Sequence, residues 1–328
     1  MSVPLGLQGT TVSPRFIFGV NGELKNNLYL IDETKLLYTA GHNVVVYSTD
    51  EKNQYFLQGS EGTEKITTIA ISKQKKFLAI CEKAEHAMCT IYDIHSQKKK
   101  KVLPDQDIRC SDYEAKEFLS ACFDPVKENR FLITLTGEPD WSLLLWDWDK
   151  LKVMCKIGIG ITGVPFSINQ KGGDTDAVSQ FQCMYNLHDS TAVCVVGVDT
   201  FRFIRITAPA GMATAEFEEE HTGVNNADRE LTTKYVCQAW MTDGRLIVCT
   251  EVGEIFLCEE NGSYMAYIPE SPTDDNFKLE ACVAFSRGFI VAGNENGNGK
   301  FYAFEKCEDS KVPYRLINKE PTIVRMSD

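Results

Sequence analysis

Short hydrophobic stretches recur along this chain at nearly regular intervals. Five of them have the same form, four mostly apolar residues, and they end at Tyr47, Tyr92, Trp146, Cys258 and Phe304. A weaker copy ends at Ile204, so that successive copies lie 45 to 58 residues apart. A period of about 50 residues is in the range of β-propeller blades, and the pattern therefore predicts a propeller.

The second repeat shows how one unit is built. Residues 66–71 alternate as a half-buried strand does, and a polar turn follows them. Residues 77–81 form a continuous apolar run suited to a strand that is buried on both faces, and two further strands are predicted over residues 89–94 and 101–103. Four strands joined by short turns form a meander, which is the unit of a propeller blade.

Six such units can be read between residues 28 and 317, and an extra strand is predicted at each end, over residues 15–18 and 322–326. Propellers close into a ring, often by lending a terminal strand to the blade at the other end of the chain. We therefore predict one all-β propeller domain over residues 1–328, of about seven blades, with the last blade incomplete or completed by a borrowed strand. The alternative is that a seventh blade should follow the sixth and that the chain stops before it.

The composition narrows the classes of partner. The 328 residues include 43% hydrophobic ones and carry a formal net charge of −12, which argues against nucleic acid as a partner. No apolar run is long enough to cross a membrane, and the N-terminus does not resemble a signal peptide. Most of the twelve cysteines lie in apolar strands, where a free thiol behaves as a small hydrophobe, so we expect a reducing, cytoplasmic setting.

Local catalytic and metal-binding motifs are weak. Residues 158–163 match the dinucleotide fingerprint G-x-G-x-x-G, but Pro165 and the polar stretch behind it make the required helix improbable. No Cys-x-x-Cys pair occurs, the histidines never pair at ligand spacing, and the Asp-x-Asp pairs do not continue into a calcium loop. We therefore predict no catalytic residues, no cofactor and no metal site.

Two surface features are candidate interaction residues. Lys98, Lys99, Lys100 and Lys101 form a basic run that could dock an acidic partner surface, although a solvated turn explains the run more simply. Trp141 lies in a turn-like segment, where an exposed indole would suit an interface hot spot; it could equally tuck beneath its own loop.

Strand endings and several longer phrases resemble a known family. Tyr92-Asp93, Trp146-Asp147 and Trp148-Asp149 are degenerate forms of the dipeptide that closes WD40 repeats. Longer phrases agree in order and spacing: Asn27-Leu28-Tyr29, Ile31-Asp32-Glu33, Phe77-Leu78-Ala79-Ile80-Cys81-Glu82, Ile91-Tyr92-Asp93-Ile94, Lys100-Lys101-Val102-Leu103 and Phe304-Glu305-Lys306. From about residue 15 to about residue 317 the chain is similar to the first propeller of the cilia- and flagella-associated WD-repeat family.

The resemblance implies a WD40-type propeller and a setting in the motile-cilium axoneme. Family members act there as long scaffolds beside inner dynein arms and their regulatory complexes, and they have no assigned catalytic residues. Members continue into a second propeller and coiled coils, so we expect this chain to be either the N-terminal propeller of a longer protein or a shortened relative.

The resulting hypothesis is a non-enzymatic protein-interaction scaffold of the cytoskeleton of the cilium or flagellum. Its partners would be dynein-arm or regulatory-complex components, or tubulin, with no nucleic acid and no membrane. Two alternatives remain open on the residues alone. One is a cytosolic WD40 adaptor or substrate receptor unrelated to cilia, and the other is a propeller enzyme with its site in the central channel.

Overall fold

The structure is a computed structural model, and it describes most of the chain. The described residues are 15–104, 112–159, 181–198, 200–207, 216–222, 234–269, 277–296, 298–307, 312–317 and 322–325. All of the regular elements in these ranges are β-strands, which confirms the all-β prediction. Among the described residues, no helix has the length and apolar character needed to cross a membrane.

The strands form six antiparallel sheets, which we call blades 1 to 6 in chain order. Blade 1 contains β1 (Leu28–Leu30), β2 (Lys35–Ala40), β3 (Asn43–Ser48) and β4 (Asn53–Gln58). Blade 2 contains β5 (Lys65–Ile71), β6 (Phe77–Lys83), β7 (Met88–Asp93) and β8 (Lys98–Leu103). Blade 3 contains β9 (Phe118–Phe123), β10 (Phe131–Thr136), β11 (Ser142–Asp147) and β12 (Lys152–Gly158).

The remaining three blades repeat the plan. Blade 4 contains β13 (Gln182–Tyr185), β14 (Ala192–Gly197), β15 (Thr200–Thr207) and β16 (Glu216–Thr222). Blade 5 contains β17 (Tyr235–Trp240), β18 (Leu246–Thr250), β19 (Ile255–Cys258) and β20 (Tyr264–Tyr267). Blade 6 contains β21 (Phe277–Phe285), β22 (Gly288–Glu295), β23 (Asn298–Lys306), β24 (Tyr314–Leu316) and β25 (Thr322–Arg325).

Each blade is a meander in which consecutive strands pair. The first strands of neighbouring blades contact one another, as β5 does with β9, β9 with β13 and β17 with β21, which places the first strands of blades 2 to 6 near the centre. This is a propeller arrangement, and the six units counted in the sequence correspond to six blades.

The two predicted terminal strands have different structures. Residues 15–18, predicted as a strand, form no strand in the structure. Residues 322–325 do form the predicted strand β25, but β25 pairs with β23, with Asn298 opposite Arg325, so it extends blade 6 and does not begin a new sheet. Met326 lies outside the described residues. No seventh blade occurs in the part of the chain that the structure describes.

The hydrophobic core consists of layers between consecutive blades. Five clusters of buried side chains join blades 1 and 2, 2 and 3, 3 and 4, 4 and 5, and 5 and 6. Both faces of an inner blade are covered in this way, which is why β6, β11, β14 and β18 consist almost wholly of buried residues. Full burial of a Leu, Ile or Phe side chain stabilises the fold by about 1.5–3 kcal/mol.

The space between blades 6 and 1 differs from the other five. No cluster of buried side chains in the described residues joins these two blades. Leu28 and Leu30 of β1 are 58% and 60% exposed, and Val283 of β21 is 65% exposed. We call the outward faces of blades 6 and 1 the open flank.

The segment before β1 covers part of the open flank. Ile17 and Gln54 exchange two hydrogen bonds, Ile17 N–H to Gln54 Oε1 at 2.8 Å and Gln54 Nε2 to Ile17 O at 3.1 Å. Farther along the segment, Lys25 donates from Nζ to the backbone oxygen of Val236 in blade 5 at 2.7 Å. Burial lowers the pKa of Lys25, since removal from water penalises the charged amine. The N-terminal segment therefore connects blade 1 to blade 5.

Candidate interaction surfaces

The basic run Lys98 to Lys101 lies in β8, the outermost strand of blade 2, and not in a turn. Lys98, Lys99 and Lys100 are exposed, whereas Lys101 is half-buried. One edge of β8 pairs with β7 and the other faces away from the sheet, so its free backbone groups could pair with another chain. Lysines on an edge strand oppose such pairing, and this gives the run a structural role in the isolated propeller.

Part of the charge of the run is compensated within the blade. Lys100 Nζ lies 3.7 Å from Asp93 Oδ2. The pKa of Asp93 is lowered, chiefly because the Ser96 backbone N–H donates to its carboxylate, while the Ser96 hydroxyl and the charge of Lys100 add to the effect. Among the described residues, Lys98, Lys99 and Lys101 have no carboxylate at ion-pair distance, and they stay available to an acidic partner.

Trp141 occupies the turn between β10 and β11, with a positive φ of 44°. Its ring is half-buried and packs on Phe181 of blade 4 with 5.5 Å between ring centroids. Its backbone N–H donates to Gly137 O at 3.0 Å, and its carbonyl accepts from Ile159 N–H at 2.7 Å. The indole therefore seals the seam between blades 3 and 4. It lies at the opposite end of the propeller from Lys98, so the structure does not bring the two predicted features together.

A buried polar cluster that sequence reasoning missed joins blades 1 and 2. Glu82 of β6 is 1% exposed, and its carboxylate accepts from the Ser60 backbone N–H at 2.7 Å and from the Ser60 hydroxyl at 2.8 Å. His42 Nε2 lies 3.0 Å from Glu82 Oε1, and the Thr63 hydroxyl lies 2.8 Å from the same oxygen. A buried carboxyl group of this kind is stable only where hydrogen-bond partners surround it.

This cluster contains the residue types of a hydrolase triad but not its geometry. The Ser60 hydroxyl is bonded to the carboxylate and not to the His42 ring, so His42 is not placed to remove its proton. Gly59 packs against the ring so closely that a Cβ there would lie 2.1 Å from His42 Nε2. The cluster is best described as a latch between blades. Its sequence signal is a glutamate that directly follows the apolar run of β6.

The cysteines are free in the described residues, and most are buried among apolar side chains. Burial raises the pKa of the Cys155 thiol to about 12, and it also raises the pKa values of Cys194 and Cys249. A thiol in such a place stays protonated and unreactive. Within the described ranges, no group of three or more His, Cys, Asp or Glu side chains is placed to hold a metal ion. Most of the glycine-rich match at residues 158–163 lies outside the described residues.

Comparison with known proteins shows which proteins the chain is similar to. The fold resembles that of the chain solved as "Structure of U3-55K", with a TM-score of 0.56 and 12% identity over 90% of this chain and 80% of that one. At this identity the likeness shows the fold alone. No protein-family model matches the sequence.

Curated proteins match more specifically. The chain is 29% identical to mouse cilia- and flagella-associated protein 57 over 246 residues, which are 74% of this chain. Its relatives are cilia- and flagella-associated proteins. The match to cilia- and flagella-associated protein 57 C of Tetrahymena thermophila is 24% identical and covers 93% of the chain. Mouse cilia- and flagella-associated protein 44 is 30% identical over 40% of it.

These matches confirm the resemblance that the strand phrases suggested, and the names of the relatives support a localisation in the cilium or flagellum. The chain spans 17% of the mouse relative and 26% of the Tetrahymena one, about a quarter of their length or less. The matched region is a propeller related to the ciliary proteins.

Proposed function

We propose that this propeller is a non-enzymatic interaction platform of the ciliary axoneme, placed near inner dynein arms and their regulatory complexes. The observation that carries the proposal is the similarity to cilia- and flagella-associated protein 57, which extends over 74–94% of the chain in three relatives. The partners would be axonemal proteins, among them dynein-arm components, regulatory-complex components or tubulin.

The structure supports such a role through its division between a rigid interior and a varied surface. Five layers of buried side chains fix the blades relative to one another. Exposed turns and edge strands are held in place by that interior, which lowers the entropy lost when a partner binds. The surface of β8, with three exposed lysines, is one place where an acidic partner could dock.

Co-sedimentation with purified axonemal doublets tests the proposal. We expect the wild-type chain to sediment with doublets at low salt and to be released as salt rises, because charged surfaces are screened. The variant with serine at positions 98, 99, 100 and 101 should sediment less. The matched control places serine at Lys52, Lys65, Lys116 and Lys278, four exposed lysines away from β8.

The results of these experiments distinguish the axonemal role from that of a general cytosolic adaptor. No binding of the wild-type chain to doublets at low salt would contradict the axonemal role. Equal binding of the two variants would remove β8 from the docking surface. Affinity purification from ciliated and unciliated cells adds a second readout, since the same partners in both would favour a general cytosolic adaptor.

A further inference from the structure

Four turns of blades 2 and 3 form one surface at one end of the propeller. In an antiparallel meander the first and third connections leave the sheet at the same end. Backbone hydrogen bonds join them: Ile94 N–H donates to Lys76 O in blade 2, and Trp148 N–H donates to Arg130 O in blade 3, both at 2.9 Å. The four turns are therefore held in fixed positions relative to one another within each blade.

Three carboxylates of these turns are buried and bonded inside the protein, whereas that of Asp149 is exposed. Asp124, Glu128 and Asp147 are 2%, 5% and 0% exposed. Asp124 accepts from two backbone amides of its own turn at 2.8 and 2.7 Å. Glu128 accepts from the Gln74 backbone N–H at 2.9 Å, which ties blade 2 to blade 3, and Asp147 accepts from Arg130 Nε at 2.9 Å.

The cations of the same turns lie outside. We call them the cationic turn surface, and its exposed members are Lys73, Lys75, Lys76, Lys98, Lys127, Arg130, Lys150 and Lys152. In the part of the chain that the structure describes, Lys75, Lys76 and Lys127 have no carboxylate at ion-pair distance. Even with the buried acids counted, these turns hold more cations than anions, in a chain whose net charge is −12.

Turns at the same end of two other blades expose acidic residues. Blade 1 exposes Asp32 and Glu33 in its first turn, and blade 5 exposes Glu259 and Glu260 in its last. Acidic residues of blade 1 therefore border the cationic turn surface on the side of blade 2. A patch with such a border selects for partners by the size of their negative charge as well as by its sign.

We propose that the cationic turn surface binds an acidic polypeptide segment. Lysines on exposed turns suit a flexible carboxylate-rich chain, whose charges can each find a nearby ammonium group. A short segment meets only the patch, because charges more than about 8 Å away are screened at physiological ionic strength. A long nucleic acid or a membrane plane would also meet the acidic turns, and nucleic-acid binders are usually basic as whole domains.

The inference goes beyond the proposed function, because it concerns a surface that shares only Lys98 with the basic run of β8 and needs no ciliary component. Fluorescence anisotropy of a labelled deca-glutamate peptide with the purified chain tests it. We expect the dissociation constant to rise about tenfold or more in the variant Lys76→Ser, Lys127→Ser, Lys150→Ser, since charged contacts contribute cooperatively to such a patch. The matched control Lys65→Ser, Lys116→Ser, Lys278→Ser removes the same charge elsewhere and should change it by less than about twofold.

Three results would overturn the inference. They are the absence of peptide binding by the wild-type chain, an equal loss in the two triple variants, and tighter binding of phosphatidylserine vesicles or of a deca-thymidylate oligonucleotide that the first variant abolishes. Equal melting temperatures of the three chains show that the variants are folded. Failure to sediment with doublets would overturn the proposed function and leave this inference standing.

Discussion

The interface between blades 2 and 3 and the open flank between blades 6 and 1 are built from the same kind of strand, yet they differ in burial. In the first, Trp146 is 1% exposed and donates from Nε1 to the Thr134 hydroxyl at 2.9 Å. Phe77 and Trp148 pack edge to face nearby, with 5.2 Å between ring centroids. In the second, Val283 of β21 remains mostly in water.

The difference shows that burial in this protein depends on the neighbouring blade and not on the strand. Ile290 of β22 alternates with Phe289 and Val291, which face blade 5 and are fully buried, while Ile290 faces the open flank and is 39% exposed. A substitution between two packed blades should therefore lower the free energy of unfolding more than one at the open flank. Four predictions test this, from the largest effect to the smallest.

Trp146→Ala should destabilise the protein most. The substitution removes a buried indole from the interface of blades 2 and 3 and leaves a cavity and an unpaired Thr134 hydroxyl, at a cost of about 3–5 kcal/mol. Urea unfolding followed by fluorescence or circular dichroism measures it. A loss below about 1 kcal/mol would show that the interface can collapse around the cavity.

Glu82→Ala should come second. The latch between blades 1 and 2 would lose its acceptor and leave the backbone N–H and the hydroxyl of Ser60 unpaired, which costs about 1–3 kcal/mol. Its control is Glu64→Ala, which removes an exposed carboxylate paired with Lys83 and should cost less than about 1 kcal/mol. Similar free energies of unfolding for the two variants would mean that the latch adds little to the interface.

Asp243 makes the junction of blades 5 and 6 sensitive to acid. Burial alone would raise the pKa of Asp243, but Arg245, bonded to its carboxylate, and Lys306 of blade 6, at 3.2 Å, lower it to about 2. The pKa of an aspartate in the unfolded chain is about 3.9. The ionised Asp243 and its two cations therefore stabilise the protein above about pH 4, and this contribution is lost as the pH falls toward 2.

Asp243→Asn should therefore flatten the decline in stability between about pH 4 and pH 2, by about 1 kcal/mol once solvent screening is allowed for. Thermal unfolding across that pH range measures the effect. The exposed Asp149, changed to Asn in the same way, is the control. Parallel pH profiles for wild type and Asp243→Asn would contradict the assignment.

Ile290→Ala should have the smallest effect, within about 0.5 kcal/mol, because its side chain faces the open flank. The measurement is the same urea unfolding as for Trp146→Ala, so that the two values can be compared directly. A loss near 2 kcal/mol, or one that grows with protein concentration, would mean that the flank is covered in solution by a second copy of the chain.

Repeat period and alternation were sufficient to predict the six blades and most strand boundaries, because a strand that faces a neighbouring blade must be apolar at every second position. They did not predict that residues 15–18 lack strand structure or that β25 joins blade 6. Those outcomes depend on which edge is free when the blades assemble. Short sequence stretches were also sufficient to suggest the similarity to ciliary proteins, because their order and spacing along the chain can be compared without a structure.

The candidate sites were harder to predict from the sequence than the fold. The basic run was visible in the sequence, but its placement on an edge strand was not. The sequence left open whether Trp141 is an interface residue or tucks beneath its own loop, and the structure places its ring against Phe181. The latch around Glu82 joins residues from three separate segments, which a linear reading of the sequence does not bring together.

The amino-acid sequence by itself determined the repeat, the β-class and the number of readable blades, because these follow from the local pattern of apolar and polar residues. Only the tertiary structure decided which of these residues are covered and which charges reach solvent. In the turns of blades 2 and 3 acidic and basic residues are mixed along the chain, and folding buries the carboxylates of Asp124, Glu128 and Asp147 while leaving the lysines outside. Short carboxylates can bond to backbone amides within the turn, whereas long ammonium side chains reach water.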